Sequence, residues 1–245
     1  MKLLLLAAGR GSRIFKNIKK NKCLISVYNK SLIKNIVYYS QKFKNIKEIN
    51  CVVGFRKKNI LEDLKNYKIN FIENNKFLTT DMLYSAYLGI KKLKNDDVLL
   101  FYTDTYFSKK FVKFASKIKE KDICIPVSSI WKKIWKIRNK DLFDDGEELI
   151  LNKRNLVLKI GQRLENKIPH NQYMGVIYFP KSKLNYVKKT MLACIKNKKK
   201  THLTNYLQYL VDKKIKIKAI INKEFWYEID DIEDYKNFKK KYAKN

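Results

Sequence analysis

The stretch Lys2–Phe15, KLLLLAAGRGSRIF, admits three readings. A basic residue, a leucine run and then small residues outline an export signal. The same letters outline a buried strand closed by a glycine turn. They also outline a strand that delivers a backbone cradle to the phosphates of a nucleotide. The apolar run, Leu3–Leu6 with Ala7 and Ala8, falls short of the about 7–15 residues typical of a signal core, and Arg10 and Arg13 follow at once. No apolar run approaches the roughly 20 residues that cross a bilayer. The expectation is a cytoplasmic protein without membrane insertion.

Outward from this stretch, apolar runs alternate with amphipathic ones. Strands are predicted at Lys2–Ala7, Ile49–Val53, Ile69–Ile72, Val98–Tyr102 and Ile123–Val127. Helices are predicted at Ser31–Phe43 with Ser31 as N-cap, Lys57–Tyr67, Thr80–Leu93 and Ser108–Ile118. This alternation predicts an α/β fold: a Rossmann-like, mostly parallel central sheet with helices on both faces. Ligands of such sheets sit beyond the carboxyl ends of the strands. Residues 131–154 read as charged and irregular. Strands then follow at Leu156–Ile160, Gly175–Phe179, Ile215–Ile221 and Phe225–Ile229. Helices are predicted at Ser182–Ile195, Thr201–Asp212 and from Asp231 to Tyr242. No Pro- or Ser-rich linker and no internal repeat interrupts the chain. A single domain over 1–245 is expected, with a nucleotide-binding half (1–129) and a half that completes the site (130–245).

The formal charge of +32 suggests a polyanion partner. However, 49 of the 55 basic residues are Lys and only six are Arg, whereas phosphate forks and base readout favour Arg. The lysines spread along the whole chain beside abundant Asn, Ile, Tyr and Phe, as an AT-rich coding sequence produces. Specific nucleic-acid binding is therefore not expected. Cys23, Cys51, Cys124 and Cys194 are isolated, and His170 and His202 are the only histidines, so neither a zinc site nor a Cys–His pair is supported.

Chemistry enters at three places. Gly9-Arg10-Gly11-Ser12-Arg13 closes the first strand, where glycines bring amides near phosphate oxygens and Arg13 and Lys22 add charge. This is neither a Walker loop nor a full dinucleotide fingerprint. Asp104, in LLFYTDTYF, lies just past an apolar strand, and Asp230, in FWYEIDDIEDY, ends an aromatic one. An Asx turn or a helix cap explains each aspartate singly. Together with the glycine loop, the two carboxylates suit a magnesium ion that bridges nucleotide phosphates.

The ordered motifs LAAGRGSR…NKCLISVYNKSLI, VVGFRKKNI, ENNKFLTTDMLYSAYLGI, LLFYTDTYF, YMGVIYF and WYEIDDIEDY span nearly the whole chain. The chain thereby resembles the nucleotidyltransferases that make nucleoside-diphosphate sugars and related activated metabolites. It is most similar to the small cytidylyltransferases acting on phosphocholine, 2-aminoethylphosphonate or phosphoglutamine. The resemblance implies transfer from a nucleoside triphosphate, CTP favoured, to a small phosphorylated acceptor with release of pyrophosphate, in capsule or surface-polysaccharide pathways. It implies that Leu6, Ala7, Ala8, Gly9, Arg10, Gly11, Ser12, Arg13 and Lys22 hold the triphosphate. Thr80, Asp81 and Ser85 lie where the family contacts base and ribose, and Asp104 and Asp230 match its paired magnesium ligands. Lys22, Arg13, Asp104 and Asp230 are thus the expected catalytic set. A sugar-1-phosphate nucleotidylyltransferase and a non-catalytic polyanion binder are the alternatives, and a homodimer is compatible with the sequence.

Departures from the family pattern cluster at the acceptor side. Asn21 replaces the usual proline before the lysine, and the loop from Arg13 to Lys22 is about one residue short. Thr103 replaces the usual glycine before the first metal aspartate. Gly161-Gln162 replaces Gly-Lys, which shifts the acceptor-phosphate contact to Lys159 or Arg163. Asn171, Gln172 and Tyr173 stand where an acidic residue is usual. Tyr102, Tyr106, Trp131, Trp135, Tyr173 and Trp226 are candidates for an aromatic box around a quaternary ammonium. Arg163, Arg154 and Arg138 are candidates for a carboxylate partner. The acceptor set read from these is Lys159, Arg163, Tyr173 and Trp226.

Overall fold

The leucines of the opening run are all buried, on alternate faces. Leu3, Leu5 and Ala7 enter the core on one side of a sheet, whereas Leu4, Leu6 and Ala8 enter the core on the other. Period-two geometry sends successive side chains to opposite faces, so a central strand covered on both sides has no polar face to alternate with. The computed structural model describes residues 1–197 and 202–242.

Eight strands form the main sheet: β1 (Lys2–Ala7), β2 (Glu48–Val53), β3 (Asn70–Glu73), β4 (Val98–Tyr102), β5 (Ile123–Ser128), β6 (Gln172–Tyr173), β7 (Val176–Phe179) and β8 (Ile217–Asn222). Their order is β6-β5-β7-β4-β1-β2-β3, with β8 also paired to β5. β1 runs parallel to β2 and β4, β2 parallel to β3, and β8 parallel to β5. β7 is antiparallel to β4 and β5, and β6 is antiparallel to β5. The sheet is therefore mostly parallel with helices on both faces, as the alternation predicts. It draws strands from both halves of the chain.

Serine and aspartate caps start the helices where expected. Ser31 Oγ accepts from Lys34 N at 3.0 Å, and Ser108 Oγ accepts from Phe111 N at 3.2 Å. The helix Met82–Lys92 is capped by Asp81, two residues beyond the predicted start at Thr80. Thr201, the predicted first residue of the next-to-last helix, lies outside the described residues; the helix runs Leu203–Asp212.

Residues 131–154 correct the sequence reading. They hold a helix Trp131–Arg138, a short turn of helix Leu142–Asp145 and a strand Glu147–Leu151. That strand pairs antiparallel with Val157–Arg163. The helix buries Trp131, Ile134, Trp135 and Arg138, and the buried arginine disguises its inner face as a charged one. The strand predicted at Phe225–Ile229 is present as Trp226–Glu228, and its partner is a strand the sequence reading lacks. Thr105–Phe107 pairs antiparallel with Trp226–Glu228, so that Thr105 lies opposite Glu228. This ribbon brings Asp104 and Asp230 to one end of the sheet.

Candidate active site

The carboxyl ends of β1 and β4 open onto a cavity lined by Leu6–Gly9, Gly11, Lys22, Asn74, Thr80, Asp81, Ser85 and Asp104. Gly11 has φ +63°, and a Cβ there would lie 2.6 Å from the Lys22 Cβ, so only glycine fits. A Cβ on Gly9 would meet nothing within 4 Å, because it faces open space. Thr103, in place of glycine, has a structural reason: its hydroxyl donates to the Leu6 carbonyl at 2.6 Å, tying the ends of β1 and β4. Asn21 likewise replaces proline with a tether, its Nδ2 donating to the Phe55 carbonyl at 2.6 Å. Ser12 opens the helix Ser12–Ile18, and Arg10 lies over the Phe55 ring at 5.6 Å.

Asn74 organises the far wall. Its buried Nδ2 donates to Thr80 Oγ1 and Ser85 Oγ, both at 3.1 Å, and its Oδ1 accepts from Lys76 N at 2.9 Å. Asp81 caps the helix by accepting from Leu83 N at 3.1 Å, while its Oδ2 is buried without a partner among the described residues. Burial pushes the Asp81 carboxyl up. An enclosed acceptor that lacks a donor is costly until something supplies one.

Lys22 joins the two predicted carboxylates. Its Nζ donates to Asp104 Oδ2 at 3.0 Å and to Asp230 Oδ1 at 2.6 Å. Burial pulls the ammonium down, but the two carboxylates outweigh it and hold Lys22 above the usual lysine range. Burial likewise pushes Asp230 up, and Lys22, Arg138 and Arg13 together hold it well below the usual carboxylate range. Arg13, largely exposed, reaches Asp230 Oδ1 at 3.2 Å. The set Lys22, Arg13, Asp104 and Asp230 therefore converges on one point. Its donor atoms fit a hard divalent cation, since two carboxylate oxygens already flank a positive charge. Among the described residues, no group of three or more His, Cys, Asp or Glu is arranged to hold a metal by itself. Magnesium commonly takes one or two carboxylates and completes its shell with phosphates and water. Cys23, beside this point, is a thiol that burial and the Asp104 charge push up to about 12, so it is no nucleophile.

A second cavity adjoins the first and shares Met82, Tyr102 and Asp104 with it. Its other walls include Trp135, Asp145, Glu147, Tyr173, Glu228 and Asp230. Tyr102 and Tyr173 meet edge to face at 5.9 Å. Burial, with Asp145 and Asp230 nearby, pushes the Glu147 carboxyl up, and burial pushes Glu228 well above the glutamate range despite Arg138.

Of the expected acceptor residues, Tyr173 lines this cavity and the others do not. Lys159 and Arg163 line a separate groove on the hairpin 147–163, facing Glu148 and Asp144 at 3.8 and 3.4 Å. Trp226 is fully buried against Trp135, with ring centroids 5.7 Å apart. Within the aromatic set, Tyr102, Trp135 and Tyr173 line the cavity, whereas Tyr106, Trp131 and Trp226 fill core. Arg138 is not open to a ligand carboxylate, because it is enclosed among the protein's own acids. Arg154 is exposed in the turn after Leu151. Glu147, Glu228, Asn74 and Arg138 are the site residues that sequence reasoning missed or misplaced. A signal existed for Arg138: in a chain with 49 lysines, an arginine flanked by the apolar positions Ile134, Trp135 and Ile137 is a candidate for a buried fork that a lysine does not supply.

Known proteins resemble this chain in sequence and in fold. A CTP:phosphoglutamine cytidylyltransferase of Campylobacter jejuni is 27% identical over 249 residues, covering 96% of this chain and 97% of that protein. The inositol-1-phosphate CTP transferase of T. maritima superposes with a TM-score of 0.72 at 22% identity, covering 95% of this chain and 90% of that one. The CTP:phosphocholine cytidylyltransferase of Streptococcus pneumoniae superposes at 0.73 and 18% identity, covering 98% and 97%. These two structures share the fold. The family model of the MobA-like NTP transferase domain matches residues 3–163, from the first strand to the end of the hairpin 147–163. With that match over most of its length, the chain belongs to the MobA-like NTP transferase domain family.

Proposed function

We propose that the protein is a magnesium-dependent cytidylyltransferase that joins CTP to a small phosphorylated acceptor bearing a cationic group. The observation that carries this reading is the pair of adjoining cavities, with Asp104 in the wall of both and Asp230, joined to it through Lys22, in the wall of the second. The similarity to cytidylyltransferases supports it. The unpartnered Asp81 Oδ2 favours a base with an exocyclic amine, which cytosine offers and uracil lacks. The acidic and aromatic walls of the second cavity favour an ammonium, and Arg13, the arginine that lines it among the described residues, is paired with Asp230. Asp145, Glu228 and Asp230 are engaged by Arg138, which leaves Glu147 as the carboxyl of that wall to meet the acceptor among the described residues. We read residues 1–129 and 130–245 as one functional unit, since each supplies one of the two carboxylates.

In the reaction, an acceptor phosphate oxygen attacks the α-phosphorus. The new O–P bond forms as the bond to the β-phosphate oxygen breaks, and pyrophosphate leaves. The nucleophile is already anionic and needs no general base. The protein's task is alignment and charge neutralisation. The glycine cradle orients the triphosphate, while Lys22 and Arg13 offset charge on the departing pyrophosphate. Asp104 and Asp230 would hold magnesium, which when bound neutralises phosphate oxygens.

A matrix of four nucleoside triphosphates against phosphocholine, aminoethylphosphonate, phosphoglutamine and several sugar 1-phosphates, read as pyrophosphate release, tests the proposal. Release is expected with CTP and cationic acceptors. Release only with sugar 1-phosphates, or with none of the acceptors, overturns it. In the productive pair, Asp104→Asn and Asp230→Asn should each lower kcat at least about 100-fold, the scale of losing a transition-state electrostatic partner.

A further inference from the structure

Arg138 is 1% exposed and sits among four carboxylates. Its Nε and Nη2 donate to the two oxygens of Asp234, each at 3.0 Å. Nη1 faces Asp145 Oδ2 at 3.0 Å and Glu228 Oε2 at 3.4 Å. Nη2 also donates to Asp230 Oδ2 at 3.1 Å. The Trp135 ring covers the guanidinium face at 4.5 Å. A planar fork with five donors fits such a set, whereas an ammonium does not.

The consequence falls on Asp230. Its two oxygens have separate duties: Oδ2 is taken by Arg138, and Oδ1 faces Lys22 and Arg13. Its backbone N–H donates to Asp234 Oδ2 at 2.8 Å, the same carboxylate that the fork grips. Main chain and side chain of Asp230 are therefore anchored by one Arg–Asp pair. The terminal torsion of an aspartate is otherwise broad, so whatever takes Oδ2 decides where Oδ1 points. The other arms of the fork reach Asp145 and Glu228, which wall the acceptor cavity.

Taking Asp104 and Asp230 as the cation-holding pair, the reading proposed above, we infer that Arg138 is a positioning residue for the transfer. By occupying Asp230 Oδ2 it aims Oδ1 at the cation position opposite Asp104 Oδ2. By gripping Glu228 and Asp145 it holds that oxygen in register with the acceptor cavity. Arg138 touches neither substrate nor metal and acts through Asp230.

Two variants test this: Arg138→Lys keeps the charge without the fork, and Arg138→Met keeps the length without the charge. Thermal unfolding establishes that each is folded. The probe is Mn2+ titrated into the protein alone and followed by electron paramagnetic resonance, with steady-state kinetics measured alongside. Loss of an outer partner of a ligating carboxylate weakens metal affinity about 10–100-fold. A weakening in this range is expected in both variants, with kcat reduced in parallel and the KM for CTP within about twofold of wild type. In an Asp230→Asn background, Arg138→Lys should cost no further Mn2+ affinity, because the residue through which it acts is already lost. Should both arginine variants fail to fold, Asp145→Asn loosens the fork from its more exposed side, and a weakening of several-fold is expected. A folded variant with wild-type Mn2+ affinity and kcat overturns the proposal, as does an additive loss in the double variant or a wild type that binds no Mn2+. A wild type that binds Mn2+ but turns over no CTP overturns the functional reading, while the Mn2+ comparison still decides the role of Arg138.

Discussion

We expect one half-buried carboxyl, that of Glu147, to help select the acceptor. It faces the second cavity, and burial raises its pKa above the ordinary glutamate value of about 4.3. Only the ionised form attracts an ammonium. As pH falls from neutrality, Glu147 takes up a proton earlier than an exposed glutamate does, and the attraction fades. The KM for a cationic acceptor should therefore rise on acidification, in the window above the ordinary glutamate range. The KM for CTP should follow no such course. Glu147→Gln should raise the acceptor KM about 10-fold or more at neutral pH, the scale of a charged hydrogen bond, and abolish its acid-side dependence. Initial-rate measurements across pH decide this, and an unchanged profile in the variant would falsify the assignment. None of this is legible in sequence, since Glu147 sits in a charged run with nothing to distinguish it from a solvated glutamate. Asp104 and Asp230 are legible because each interrupts the end of an apolar strand.

Elements set how closely the nucleotide cavity is built. The helix Met82–Lys92, which carries Ser85 and is capped by Asp81, rests on β1 through Gly89. A Cβ there would lie 2.5 Å from Leu4 Cδ1, and Leu4 is fully buried. Two effects compete in Gly89→Ala. Helix propensity stabilises by up to about 1 kcal/mol. Overpacking a closed core costs about 1–3 kcal/mol. The clash should win, with a net loss of about 1 kcal/mol in denaturant unfolding and a raised KM for CTP. A variant as stable as wild type would show that the helix has room to lift. At this scale the sequence reads well where burial is one-sided or complete: β1 and β4 match their predicted bounds. It reads poorly at 131–154, where the helix Trp131–Arg138 turns an arginine inward. Carboxylates supplied by residues 228–234 make that burial tolerable, and nothing within 131–154 announces that they meet Arg138.

For the whole molecule, the charge of +32 predicts a non-specific affinity for polyanions that is distinct from the transfer chemistry. Surface lysines release counterions on binding, so affinity for mixed DNA should fall steeply with salt, by about 1,000-fold or more between 50 and 200 mM if six or more phosphates are engaged. Pyrophosphate release at saturating CTP should change far less over that range, because Lys22 and the fork of Arg138 are enclosed. Parallel salt titrations of DNA binding and turnover separate the two. A turnover that collapses with the DNA affinity would instead place catalysis on the exposed lysines.

The ion pair of Lys22 with Asp230 spans 208 residues of sequence. On a ribosome, the glycine cradle and Asp104 emerge long before Asp230 does. The growing chain can therefore shape a pocket for a triphosphate while lacking the second carboxylate, and for most of synthesis Lys22 has only Asp104 to pair with. Drawing Lys22 and Asp230 into one place makes this carboxylate pair wait until residue 230 has left the tunnel. On the function proposed here, a chain stalled before Asp230 is expected to bind nucleotide without spending it.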